Sequence, residues 1–99
     1  MEIYIDCSKM TDRASAHEYL AEAFDFPSYY GKNLDALYDC LYEVIPCRVI
    51  LKNCEALSSL GRYGQGILEV FEDIAAEQPL FELVEEDIEV EEDIEEDKD

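Results

Sequence analysis

Three short β-prone runs, separated by two long stretches with helical periodicity, constrain the fold of this 99-residue chain most strongly. The runs are residues 2–6 (EIYID), 48–51 (RVIL) and 80–84 (LFELV). Strands separated by helices cannot pair as hairpins, so they need parallel pairing through right-handed crossovers. With the strand order 1-2-3, all helices fall on one face of the sheet. The sequence therefore predicts a two-layer α/β domain in which a three-stranded parallel sheet packs against about four helices.

Capping residues and apolar periodicity define the helices between these strands. Thr11, Asp12 and Ser15 compete as the cap of the first helix, with Asp12 favoured, and Asn53 is expected to cap the third helix, over residues 54–60. The last helix carries the amphipathic segment ILEVFEDI and is expected to end by Gln78, because a proline follows. The glycine-rich segment 62–66 (RYGQG) is interpreted as a flexible loop.

The second helix has two faces of different chemistry. It follows a loop that contains the tyrosine pair Tyr29 and Tyr30, of which Tyr30 is expected to join the core, and Asn33 is predicted to cap it. The apolar stripe, which indicates the side that packs on the core, consists of Leu34, Leu37, Leu41 and Val44. The opposite side carries two aspartates and two tyrosines, namely Asp35, Tyr38, Asp39 and Tyr42.

This acidic and aromatic side favours a docking surface. Like charges at positions i and i+4 of a helix repel by about 0.2–0.5 kcal/mol. The helix N-terminus offsets that repulsion for Asp35, whereas Asp39 lies one turn further on and gains little. Tyrosine is a frequent interface residue, because it combines a rigid apolar body with a polar tip. We therefore expect this side of the helix to dock onto a cationic partner surface.

The segment 29–41 (YYGKNLDALYDCL) resembles the signature of the barstar family, the intracellular inhibitors of barnase-type ribonucleases. The family pattern is YYG-x-NLDAL, then an aromatic residue, then DCL, and eleven of these thirteen positions are identical. The resemblance extends over residues 1–84. It implies a three-stranded parallel sheet with four helices, a one-to-one complex with a basic, barnase-like ribonuclease, and no cofactor.

The resemblance also implies which residues contact the ribonuclease. Asp39 corresponds to the residue that enters the phosphate site of the enzyme, and Tyr29 to the residue that stacks on its catalytic histidine. Asp73 corresponds to an acidic position at the rim of the interface. The full set of predicted partner-binding residues is Tyr29, Gly31, Asn33, Leu34, Asp35, Tyr38, Asp39, Tyr42 and Asp73.

Several positions depart from the family pattern. Tyr38 stands where the family has tryptophan, Asp73 where it has the longer glutamate, and Lys32 where it has an acid. Tyr42 and Val44 replace threonine and tryptophan at the rim. Because specificity is a difference between affinities, such changes indicate the same mode of action against a related but different ribonuclease.

The formal net charge of −19 limits the classes of partner. Nucleic acid is disfavoured because binding to phosphate needs Lys and Arg, whereas a basic protein is favoured. Residues 85–99 carry a net charge of −10 and are interpreted as a solvated, low-complexity acidic tail in which Ile88 and Val90 could lengthen the third strand. A membrane-spanning helix needs about 20 apolar residues, and no apolar run approaches that length, so no membrane contact is expected.

The cysteines and the single histidine form no recognisable metal motif. No CxxC pair occurs among Cys7, Cys40, Cys47 and Cys54, so no metal site is predicted. Because the chain starts with a strand pattern instead of a signal peptide, a cytoplasmic location with reduced thiols is expected. His17 lies at the edge of the apolar stripe of the first helix and is interpreted as a packing or capping residue.

Two other classes of function compete with inhibition. An enzyme could use Asp35 and Asp39 as an acid–base pair, or His17 with a cysteine, but no motif connects these residues. The glycines of residues 61–66 also lack the lysine of a phosphate-binding loop, so the chain is not expected to be an enzyme. The remaining alternative is an acidic protein-interaction module that mimics nucleic acid for another basic partner.

Overall fold

The computed structural model describes residues 1–86, and it confirms the predicted sheet. The strands are β1 (Glu2–Asp6), β2 (Cys47–Lys52) and β3 (Phe81–Glu86), all parallel and in the order β1-β2-β3. The α-helices are α1 (Arg13–Phe24), α2 (Leu34–Tyr42) and α3 (Arg62–Glu77), and two 3-10 helices cover Cys7–Lys9 and Cys54–Leu60. This order reproduces the predicted two-layer α/β architecture, with the short 3-10 helix Cys7–Lys9 as an addition.

One face of the sheet forms the floor of the core. The register aligns Ile3 with Val49 and Val49 with Leu83, and the next inward row aligns Ile5 with Leu51. Ile5, Val49 and Leu51 are almost completely buried against the helices. These aliphatic residues make β2, the middle strand, part of the core.

The other face of the sheet is turned to solvent. Tyr4 is 58% exposed there, and the side chain of Arg48 is about half exposed. Arg48 pairs across the strands with Glu2 at 2.9 Å and with Glu82 at 3.6 Å. These long side chains leave Ile50, at the centre of the face, only 3% exposed.

The helix caps match the sequence prediction at α1 and contradict it at the second 3-10 helix. Asp12 caps α1, where its carboxylate accepts a hydrogen bond from the Ser15 N–H at 2.8 Å and the Ser15 hydroxyl accepts one from the Asp12 N–H. Asn53 makes no cap bond, so that prediction is wrong. Its side-chain amide instead donates to Asp6 Oδ1 at 2.9 Å, and this bond contributes most to lowering the pKa of Asp6.

The segment 62–66 is helical, so its interpretation as a flexible loop is wrong. A Cβ atom at Gly64 would lie 2.1 Å from the backbone oxygen of Leu57, and one at Gly66 would lie 2.8 Å from Leu34 Cδ1. The glycines thus let α3 approach the second 3-10 helix and α2 closely. The two glycines were interpreted as a source of backbone freedom, whereas in the structure their missing side chains allow close packing of helices.

The ends of α2 and β3 differ slightly from the prediction. α2 ends at Tyr42, so Val44 of the predicted stripe lies beyond the helix and is half-buried. β3 continues to Glu86, and thus includes the first two residues of the predicted acidic tail. The rest of that tail, with Ile88 and Val90, lies outside the described residues. Within residues 1–86, no helix combines the length and the apolarity that crossing a bilayer requires.

Candidate functional site

The two adjacent tyrosines of the loop before α2 lie in opposite environments. Tyr30 is 7% exposed and packs against Phe26, with ring centroids 4.8 Å apart. Burial raises the pKa of the Tyr30 hydroxyl well above its usual range. Tyr29 is 80% exposed. The prediction that Tyr30 belongs to the core is therefore confirmed, and Tyr29 presents its ring to solvent.

His17 connects this loop to two helices through a Tyr–His–Tyr network. His17 Nδ1 lies 2.6 Å from the Tyr30 hydroxyl and Nε2 lies 2.6 Å from the Tyr63 hydroxyl, which joins α1, the loop and α3. A neutral imidazole satisfies both contacts, because it donates through one nitrogen and accepts through the other. Burial lowers the pKa of His17, and the charges of Lys32 and Arg13 lower it further. The expected packing role of His17 is confirmed, while the role of Tyr63 had no sequence signal.

The N-terminus of α2 is held in the predicted way. Asn33 Oδ1 accepts a hydrogen bond from the backbone N–H of Ala36 at 2.7 Å. Lys32 precedes this cap in the left-handed region, with φ of 58°. A Cβ atom at Gly31 would lie 3.3 Å from the Ala36 Cβ, so a larger residue there would press on the first turn. Gly31, Lys32 and Asn33 are all exposed.

The structure exposes the two aspartates of α2 on the same side of the helix. Asp35 lies in the first turn and Asp39 one turn later, and both side chains are exposed. Asp39 lines a shallow surface groove together with Tyr38, Tyr42 and Glu43. Hereafter, the docking face denotes the nine residues predicted to bind the partner: Tyr29, Gly31, Asn33, Leu34, Asp35, Tyr38, Asp39, Tyr42 and Asp73.

Tyr38 and Tyr42 are tied to the C-terminal end of α3. Their rings stack at 5.8 Å with an interplanar angle of 23°. The Tyr38 hydroxyl donates to Glu77 Oε1 at 2.6 Å, and this bond to a carboxylate raises the pKa of Tyr38 to about 12. The Gln78 side-chain amide donates to the Tyr42 hydroxyl. Glu77 thus fixes one tyrosine of the docking face.

The remaining two predicted residues lie at the junction of α2 and α3. Asp73 is exposed on α3, and its charge contributes to raising the pKa of Tyr38, which places it on the same edge of the molecule. Leu34 is half-buried, close to Gly66 of α3. Leu34 therefore combines a packing contact with partial exposure, and it is the most structural member of the docking face.

The docking face offers carboxylates and aromatic rings, a chemistry suited to binding cations. Among the described residues, no group of three or more His, Cys, Asp or Glu side chains is arranged to hold a metal ion. Both aspartates of α2 lie on an exposed helix surface rather than in an enclosed cleft. This arrangement favours recognition of a basic surface by charge-assisted hydrogen bonds and stacking.

Comparison with known proteins shows the family to which the chain belongs. A family model described as "Barstar (barnase inhibitor)" matches residues 1–92, which include the whole docking face. The chain belongs to the barstar family. A protein of Bacillus subtilis (strain 168) with the name "Putative ribonuclease inhibitor YrdF" is 39% identical over 79 residues, which cover 77% of this chain and 87% of that protein. Membership of this inhibitor family supports a ribonuclease-inhibitor role.

Proposed function

We propose that the chain binds a barnase-like secreted ribonuclease one-to-one and blocks its active site by placing carboxylates in the phosphate site. Family membership supports the inhibitor role. One observation carries the finer proposal: Asp35 and Asp39 are exposed on one side of α2, next to a loop whose Tyr29 is 80% exposed. In this mode the chain protects the cytoplasm of its own cell before the ribonuclease is exported.

The proposed mechanism rests on the charge of a ribonuclease active site. Such a site is cationic, because it must bind and cleave a phosphodiester. A carboxylate that accepts hydrogen bonds from arginine forms contacts roughly twice as strong as those between neutral groups. Asp39 takes the central position and Asp35 the neighbouring one, so that the repulsion between them is offset when the cationic partner arrives. Tyr29 supplies a flat apolar surface for stacking.

Titration of RNA hydrolysis by a barnase-type ribonuclease tests this proposal. Because Asp39 is the proposed central contact, Asp39→Asn is expected to cost at least about 2 kcal/mol of binding, a loss of about 30-fold in affinity. Glu18→Gln removes the same charge from an exposed position of α1 and serves as the matched control. Inhibition should be unchanged in this control. Equal loss in both variants would reject the docking face as the contact surface.

The net charge of −19 favours a second candidate, a nucleic-acid mimic that binds other basic proteins. Such a module acts through its overall field, so its binding depends on added salt and on total charge. Asp39→Asn and Glu18→Gln would then weaken binding alike. The comparison of these two variants at one ionic strength therefore separates the two candidates.

A further inference from the structure

Two cysteines lie together at the carboxyl ends of β1 and β2, on elements that contribute nothing to the docking face. Cys7 directly follows β1, and Cys54 follows β2 by two residues. The register aligns Asp6 with Lys52, and the Asn53 side chain donates to Asp6 Oδ1 at 2.9 Å. Neighbouring strands lie about 4.8 Å apart, so the two chain segments leave the sheet side by side.

The two thiols are neighbours in the fold. Cys54 contributes to raising the pKa of Cys7, and the Cys54 thiol reaches the Leu51 carbonyl oxygen at 3.9 Å. The 3-10 helices that begin at Cys7 and Cys54 pack against each other. A disulfide requires Cα atoms within about 7 Å, a spacing that segments leaving adjacent parallel strands provide.

We propose that Cys7 and Cys54 are the site of a reversible intramolecular disulfide, formed by exchange with a low-molecular-weight disulfide. The Cys54 thiolate attacks one sulfur of the reagent, which gives a mixed disulfide and releases one thiolate. The Cys7 thiolate then attacks the Cys54 sulfur and displaces the second. In total, the two protein thiols lose two protons and two electrons, and the reagent is reduced to two thiols.

Exposure sets the order of these two steps. Cys54 is half-buried and borders two surface cavities, whereas Cys7 is completely buried. Burial raises the pKa of Cys7 to about 12, and the neighbouring Cys54 thiol adds to this. Cys7 is therefore rarely a thiolate at neutral pH. The first attack belongs to Cys54, and the ring-closing attack by Cys7 should be slow and should accelerate as the pH rises.

The surroundings of Cys54 select the charge of the reagent. One of its cavities is lined by Glu55, Glu85 and Glu86, and the charge of Glu85 also reaches Cys7. A cationic disulfide such as cystamine should therefore react faster than the anionic glutathione disulfide. Added salt should reduce this difference, because it screens exposed charges.

The experiment exposes the fully reduced chain to cystamine or to glutathione disulfide at mildly alkaline pH, then blocks the remaining thiols with an alkylating agent. We expect mass spectrometry to show a chain that has lost two hydrogens, with the cross-link mapped to Cys7 and Cys54. The product should unfold at a higher temperature than the reduced chain, and dithiothreitol should reverse both changes.

Three variants make the result decisive. Cys54→Ala should leave Cys7 unreacted, and Cys7→Ala should stop at the mixed disulfide on Cys54, without the gain in thermal midpoint. Cys40→Ala removes another half-buried thiol and should give the wild-type cross-link. A cross-link that involves Cys40 or Cys47, a disulfide between two chains, or a final product in which Cys7 is still a thiol would overturn the proposal. Should Cys7→Ala fail to fold, the wild-type map and Cys54→Ala decide.

Discussion

At the scale of single residues, the Tyr–His–Tyr network holds the loop that carries Tyr29 against α1 and α3. His17 is 2% exposed, and both of its ring nitrogens are occupied by tyrosine hydroxyls. A second proton on the imidazole would turn the accepting nitrogen into a donor. One tyrosine hydroxyl would then have to rotate, and a charge would be buried near Lys32 and Arg13.

The first prediction concerns the pH dependence of stability. The pKa of His17 is lowered in the folded chain, so the unfolded chain binds the proton more readily. Neutral His17 contributes its full share of the free energy of unfolding above the pKa of an unfolded histidine, about 6.5. That contribution is lost as the pH falls from there through the lower pKa of His17 in the folded chain. Urea unfolding from neutral pH down to about pH 5, above the range in which most carboxylates titrate, should show this decline. His17→Gln should remove this part of the slope, and an unchanged slope would contradict the assignment.

The second prediction concerns Tyr63, which joins this network from α3. Tyr63→Phe removes one hydroxyl and leaves His17 Nε2 without its tyrosine contact, so the free energy of unfolding should fall by about 1–3 kcal/mol. Tyr29→Phe removes an exposed hydroxyl and is the matched control. Chemical denaturation measures both changes. A loss in the control as large as that in Tyr63→Phe would contradict the account.

At the scale of elements, caps and periodicity were predictable because they depend on neighbours in the sequence. Asp12 and Asn33 each accept a bond from a backbone N–H three residues later. Asn53 has the same side chain as Asn33, but its backbone is left-handed with φ of 58°, and its amide nitrogen donates to Asp6, 47 residues away in the chain. The loop prediction for residues 62–66 was wrong for a similar reason, because the contacts of their glycines depend on how the helices pack.

The third prediction follows from that packing. Gly64→Ala places a methyl group against a backbone oxygen of the second 3-10 helix, which cannot move aside easily, so stability should fall by at least about 1–3 kcal/mol. Gly66→Ala meets only the flexible end of Leu34 and also gains up to about 1 kcal/mol in helix propensity. Thermal unfolding should therefore show the larger loss for Gly64→Ala. Equal effects, or none, would contradict the close approach of α3.

At the scale of the whole molecule, the residues of the docking face could be predicted from the sequence, but the contacts that hold them in place could not. The alternation of apolar and acidic residues along α2 was enough to predict that Asp35 and Asp39 are exposed. The bond from Tyr38 to Glu77 joins residues 39 positions apart, and the contact from His17 to Tyr63 joins residues 46 apart. Such contacts depend on how helices pack, and no local pattern encodes them.

Overall charge and local contact also act at different ranges. The net charge of −19 attracts a basic partner over distances of about a Debye length, about 8 Å at physiological salt. Such a field speeds the approach of any basic protein, but it does not select one carboxylate over another. The proposal that Asp39 occupies the phosphate site concerns a local contact, so a small ligand of that site should compete with the chain.

Competition between the chain and a nucleoside 3′-monophosphate for a barnase-type ribonuclease is the most direct measurement. If Asp39 occupies the phosphate site, the apparent Kd of the chain should rise in proportion to the nucleotide concentration once the nucleotide saturates the enzyme. Sodium chloride at matched ionic strength should produce a smaller rise. A Kd that is the same with nucleotide as with matched sodium chloride, together with a ternary complex of ribonuclease, nucleotide and chain, would contradict the account.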